Sequence, residues 1–198
     1  MTSQDVTLHH AEWGSWKERL GTIPILFSAP HNAEQVRDGL PKAAEPGSLD
    51  LAIELARLFD ASAIGTIPPL HSDPNWDADH PYVIRAKELL PHGFALDLHM
   101  MRDRGFPACI GTGTHPELVE GIWQSLESNL ENMGLETSVG WPFGAGPQTV
   151  TSNLQSAGIK ALQLELTPTC FDVKSEVYKK VREALEKFTR AVINDSLL

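Results

Sequence analysis

The chain has 198 residues, of which 41% are hydrophobic and 21% charged, and its formal net charge is -10. That length is enough for one domain with a sizeable core, expected over residues 1–198. The acidic balance disfavours nucleic acid and anionic lipid as partners.

No apolar run approaches the roughly 18 residues of a membrane span. The polar start from Met1 to Trp13 lacks the basic flank and apolar run of a signal peptide. Cys109 and Cys170 are too few and too far apart for a CxxC metal site, and Cys109 sits in an apolar run, as a reduced core thiol does. The expectation is a cytoplasmic protein acting on a small molecule.

In chain order, Ile25 to Ala29 reads as a strand meeting a Pro-His turn. Ser48 reads as the N-cap of a helix with Leu49, Ile53, Ala56 and Phe59 on one face. Ala63 to Ile67 reads as a strand ended by Pro68-Pro69. Leu70 to Pro81, rich in Asp, His and Pro, reads as a loop long enough to be functional. Tyr82 to Leu90 is a short helix, and Phe94 to Leu98 and Ala108 to Gly111 are strands. Pro116 to Met133 reads as a helix stopped near Gly134, Thr137 to Gly140 as a short strand, Thr149 to Ala157 as a helix and Lys160 to Leu166 as a strand. Asp172 is expected to cap a last helix with Val173, Val177, Val181, Leu185, Phe188 and Val192 on its buried side. On that helix Lys179, Lys180, Arg182, Lys187 and Arg190 are interleaved with Glu176, Glu183 and Glu186, the pattern of a solvated face. Strands alternating with helices indicate an α/β layered fold with a mixed, largely parallel sheet.

Three segments carry candidate chemistry. His31 and Glu34 follow a predicted strand directly, and ligands of open α/β sheets bind beyond the carboxyl ends of strands. Imidazole nitrogen and carboxylate oxygen are natural zinc donors. The spacing alone decides little, because His9 and Glu12 repeat it with no strand before them. His99 ends a second apolar strand, and Asp97, two residues earlier on the same side of the pleat, can hold its other ring nitrogen. Glu165 alternates with Leu164 and Leu166, so it faces either water or a cleft. In a cleft, burial would raise its pKa towards a value suited to proton transfer.

The order of these pieces is that of zinc carboxypeptidases and aspartoacylase-like deacylases, and the chain resembles the N-formylglutamate amidohydrolase family more closely. Ser28-Ala29-Pro30-His31 is similar to that family's Pro-His segment. Asp97-Leu98-His99 followed by Cys109-Ile110-Gly111-Thr112-Gly113 is similar to its Asp-x-His region. Trp141-Pro142-Phe143-Gly144-Ala145-Gly146 resembles its Pro-Phe-x-Gly-Gly loop, and Gln163-Leu164-Glu165 its Gln-x-Glu strand. The resemblance implies a three-layer α/β/α fold of the zinc carboxypeptidase type and a zinc ion held by His31, Glu34 and His99. It also implies hydrolysis of the amide bond of a small N-acyl, such as N-formyl, amino acid, with Glu165 moving the proton.

The chain departs from the family at Asp73-Pro74-Asn75-Trp76, where Trp76 replaces an arginine expected to bind a substrate carboxylate. Asn75, Arg85, Arg102 and Arg104 are therefore the candidate substrate-binding residues. Two other readings stay open. One is a separate metal site in the loop holding His71, Asp73, Asp77, Asp79 and His80. The other is a non-catalytic metal- or ligand-binding protein on the same fold. No Gly-x-Ser-x-Gly elbow supports a serine hydrolase.

Overall fold

The computed structural model describes residues 5–77 and 79–194. The elements follow in the order β1 (Thr7–Ala11), β2 (Gly14–Arg19), β3 (Ile23–Ala29), β4 (Gln35–Arg37), β5 (Leu40–Lys42), α1 (Ser48–Phe59), β6 (Ala61–Leu70), α2 (Pro81–Leu89), β7 (Phe94–Met100), β8 (Ala108–Gly111), α3 (Ile122–Asn132), β9 (Thr137–Val139), α4 (Val150–Gln155), β10 (Lys160–Leu166) and α5 (Glu176–Asn194).

Eight strands form one sheet in the order β1-β2-β6-β3-β7-β10-β8-β9, while β4 and β5 pair as a separate hairpin. Its centre, β6-β3-β7-β10, is parallel. Strands buried on both faces need near-continuous apolar runs, which Ile25-Leu26-Phe27 and Ala95-Leu96 supply. Successive side chains point to opposite faces. Phe27, Leu96 and Leu164 therefore pack with Leu55 of α1, Leu126 of α3 and Phe188 of α5. Leu26, Ala95 and Ala161 pack on the other face with Tyr82 of α2 and Leu154 of α4. The result is the expected three-layer, carboxypeptidase-like α/β/α arrangement. From β3 the chain moves one way to β6 and then crosses back to β7. The strand order thus reverses between β3 and β7, where a crevice opens at the strands' carboxyl ends.

Several local expectations are corrected. Strand β6 runs on through Pro68-Pro69 to Leu70. The pairing with β2 shifts register there, from Ser15↔Ile67 to Gly14↔Leu70, so the ladder asks no amide hydrogen of the prolines. Residues 116–133 are not one helix: a 3-10 turn at Pro116–Val119 is separated from α3 by Gly121, whose φ is 83°. Helix α5 starts at Glu176, because Ser175 Oγ accepts the amide hydrogen of Tyr178 while Asp172 closes a turn on Lys174. Strands β1 and β2 are not among the expected elements, and β1 lies in the polar stretch before Trp13. β1 is an almost fully exposed edge, so it carries no apolar alternation. Among the described residues no helix is long and apolar enough to cross a membrane.

Candidate metal centre

His31, two residues past the end of β3, and His99, in β7, meet across the β3–β7 crevice. Their rings sit nearly at right angles, with centroids 4.7 Å apart. Their Nδ1 atoms face each other at 3.2 Å. Glu45 completes the group, its Oε1 2.9 Å from His31 Nδ1 and its Oε2 3.2 Å from His99 Nδ1. Among the described residues these three form the group of donors placed to hold a metal ion.

The donor set fits zinc. Two donors on a tetrahedral ion at about 2.1 Å lie roughly 3.4 Å apart, close to the spacing found. The far ring nitrogens are tied down as ligand histidines require. His31 Nε2 is 2.8 Å from Asp73 Oδ1, and His99 Nε2 is 3.1 Å from Asp97 Oδ2. A hydrogen on each Nε2, donated to its carboxylate, leaves both Nδ1 lone pairs directed at one point.

Electrostatics follow from this packing. Burial opposes ionisation of Glu45, but His99 and His31 outweigh it and hold the carboxyl well below the usual range. Burial likewise opposes charge on His99, and Asp97 with Glu45 overcomes it and pushes the imidazole well above its ordinary value. Asp73 is held low by His31 against its own burial.

The carboxylate in the group is Glu45 and not Glu34. Glu34 is exposed, while its neighbour Gln35 turns inward and donates to the His31 carbonyl. The chain then leaves through the β4–β5 hairpin and returns, and the Glu45 amide donates to the same His31 carbonyl at 2.8 Å. That closure sets the Glu45 carboxylate against His31, where the Met100 amide also donates to it. His9 and Glu12 form no such pair, since His9 contacts Glu18 and stacks on Trp16.

Glu165 is buried on β10 and takes the cleft alternative. Its partner in the parallel ladder is His99, and the partner of Gln163 is Asp97. Gln163 Nε2 donates to Glu165 Oε1 at 2.9 Å. Burial raises the Glu165 carboxyl above its ordinary value, with Glu45 adding to the rise and His99, His31 and Lys42 opposing it.

A cavity of about 510 Å³ opens over these groups, lined by His31, Glu45, His99 and Glu165. On one side stand Arg37, Lys42, Asn75 and Trp76, and on another Arg102, Arg104 and the segment Pro142–Gly146. That segment crosses close over β8 because Gly111 lacks a side chain: a Cβ there would lie 2.9 Å from the Phe143 carbonyl oxygen. Of the substrate-binding candidates, Arg102, Arg104 and Asn75 line the cavity. Asn75 is also committed to structure, its Oδ1 accepting the Val150 amide hydrogen. Arg85 lies elsewhere, paired with Glu18 and Glu88. Sequence reasoning missed Arg37 and Lys42, which reach the cavity from the hairpin.

Among the described residues, the loop from His71 to His80 does not gather its acids and histidines into a second site. His71 and Asp79 are exposed. His80 accepts the Tyr82 amide hydrogen at Nδ1 and donates from Nε2 to Ser72, and burial pushes it down to about 4. Asp73 turns to His31 and Arg37 instead.

No known family profile matches the chain, and no curated protein matches it. Solved structures do. A bacteriophage poly-gamma-glutamate hydrolase is 16% identical, with 98% of this chain and 92% of that one covered and a TM-score of 0.63. The N-formylglutamate amidohydrolase of Ralstonia eutropha is 13% identical, over 96% and 97% of the two chains, at 0.59. A metallo-carboxypeptidase from Burkholderia cenocepacia is 12% identical, over 98% and 66%, at 0.55. At these identities the likeness is one of fold.

Proposed function

We propose that the protein is a zinc-dependent hydrolase that cleaves the amide bond of a small N-acyl amino acid or related compound in the cytoplasm. The observation that carries this reading is the convergence of His31 Nδ1, His99 Nδ1 and the Glu45 carboxylate, with both Nε2 atoms held by acids and Glu165 beside them. Three protein donors leave a position open, as catalytic zinc sites do. The solved hydrolases of the same fold support the reading.

His31, Glu45 and His99 would hold the ion. When bound, zinc lowers the pKa of water to about 7 and polarises a carbonyl. Glu165 takes a proton from the attacking water and delivers it to the leaving nitrogen. Gln163 orients Glu165 through its amide hydrogen, which leaves the other carboxylate oxygen for the proton. Lys42 Nζ, 3.1 Å from His31 Nδ1, lines the same cavity and would supply a donor to an oxygen that gains negative charge there.

The test is release of free amine from N-formyl and other N-acyl amino acids by zinc-loaded protein. Amine release that disappears on chelation supports the proposal. Tight zinc binding without amine release from any of them would favour a non-catalytic binding protein.

A further inference from the structure

The chain carries a net charge of -10, yet its cavity is lined by Arg37, Lys42, Arg102 and Arg104. These cations are divided by the sheet. The hairpin holding Arg37 and Lys42 follows β3, and Trp76 follows β6, so both belong to one side of the sheet order. Arg104 lies in the connection from β7 to β8, and Phe143 follows β9 at the other edge. His99 and Glu165, on β7 and β10, stand between.

Each flank has a cation braced on an aromatic ring. The Arg37 guanidinium lies 4.6 Å from the centre of the Trp76 ring, and that of Arg104 lies 5.3 Å from the centre of Phe143. Stacking fixes the plane of each fork, leaving the whole edge of Arg104 and the Nη1 of Arg37 to donate. On the first flank Asp73 pairs with Arg37, and Glu45 is the acid nearest in effect to Lys42. On the second, no carboxylate lies within ion-pair distance of Arg102 or Arg104 among the described residues. The second flank is therefore net positive, while on the first Arg37 engages Asp73 through Nε and Nη2 and keeps Nη1 for a ligand, so a ligand with one charged end would use only one of them.

We infer that the cleft takes a substrate bearing a carboxylate on each side of the scissile amide, one met by Arg37 on Trp76 and the other by Arg104 on Phe143. The inference rests on the amide-hydrolase reading for the position of the scissile bond. It departs from a formyl substrate, whose acyl side has no charge.

Binding to zinc-loaded Glu165→Gln, measured by calorimetry, tests it apart from turnover. The ligands are N-glutaryl-norvaline, with a carboxylate on each side, N-pentanoyl-norvaline, lacking the acyl-side charge, and N-glutaryl-butylamine, lacking the amine-side charge. The doubly charged ligand should bind about tenfold more tightly than either of the others. Adding Arg104→Gln should erase one preference and adding Arg37→Gln the other, with Arg37→Lys restoring part of the second. Equal binding of the three ligands, or both arginine variants erasing the same preference, would overturn the inference. Wild-type turnover is read separately. If the binding order holds and nothing is hydrolysed, the hydrolase reading fails and what stands is a cleft that binds two carboxylates. If hydrolysis occurs without the binding order, the inference alone fails.

Discussion

Glu165 and His99 are direct partners in the parallel ladder of β10 and β7, so a titratable carboxylate and an imidazole of the candidate metal group project from one row of the sheet. Neither depends on a loop for its placement. Glu165→Gln is expected to lower kcat/KM by about 10²–10⁴-fold while zinc content stays unchanged. Near-complete activity in that variant would remove Glu165 from the mechanism.

The same residue sets a pH dependence. Burial raises the Glu165 carboxyl above its ordinary value of 4.5. A base acts only when ionised, so kcat/KM should fall as pH drops through this raised pKa. The acid limb of the profile should therefore lie above 4.5 and vanish in Glu165→Gln.

Asp73 and Asp97 each hold the far nitrogen of a histidine of the candidate metal group. Asp97→Asn and Asp73→Asn should each weaken zinc about 10–100-fold, read by competition with a chromophoric chelator. A circular dichroism spectrum matching wild type would separate this from misfolding, since both acids are fully buried.

Zinc should enter against protons. Without metal, Asp97 and Glu45 keep His99 protonated well above its ordinary value despite burial. The ion must displace that proton from Nδ1, so affinity should weaken as pH falls, with release on the order of one proton per ion at neutral pH. Calorimetry in buffers of different ionisation enthalpy reads this number directly.

The legible part of the site was local. His31 and His99 each follow or end an apolar strand, which places them at strand ends, whereas the pattern around Glu165 leaves it facing either water or a cleft, and the family resemblance joined the three. Glu34 has the right type and spacing for a ligand, and nothing nearby distinguishes it. What decides is the closure of residues 31–45, where the amide of Glu45 returns to the carbonyl of His31 after the hairpin. Such a contact has no periodicity to betray it. The one available signal was an acid set in Ala43-Ala44-Glu45-Pro46, just before a helix. The central strands and α5 were visible because each buries a continuous stripe or run, whereas β1 was not because its edge position removes the alternation.

The core that holds this edge in place can be tested away from the site. Phe188 of α5 is fully buried and meets Phe94 edge-on, with ring centres 5.5 Å apart. Phe188→Ala should cost about 3–5 kcal/mol in urea unfolding. A loss under 1 kcal/mol would mean that α5 is not packed as described.

The most direct test of the metal centre is elemental mass spectrometry of protein purified without a metal-binding tag, for wild type, His31→Ala/His99→Ala, Glu45→Gln and Glu34→Gln. The expected result is about one zinc per chain in wild type and in Glu34→Gln, none in the double variant, and a reduced content in Glu45→Gln. Full zinc in the double variant, or loss in Glu34→Gln with retention in Glu45→Gln, would contradict the assignment of His31, Glu45 and His99 as the ligands.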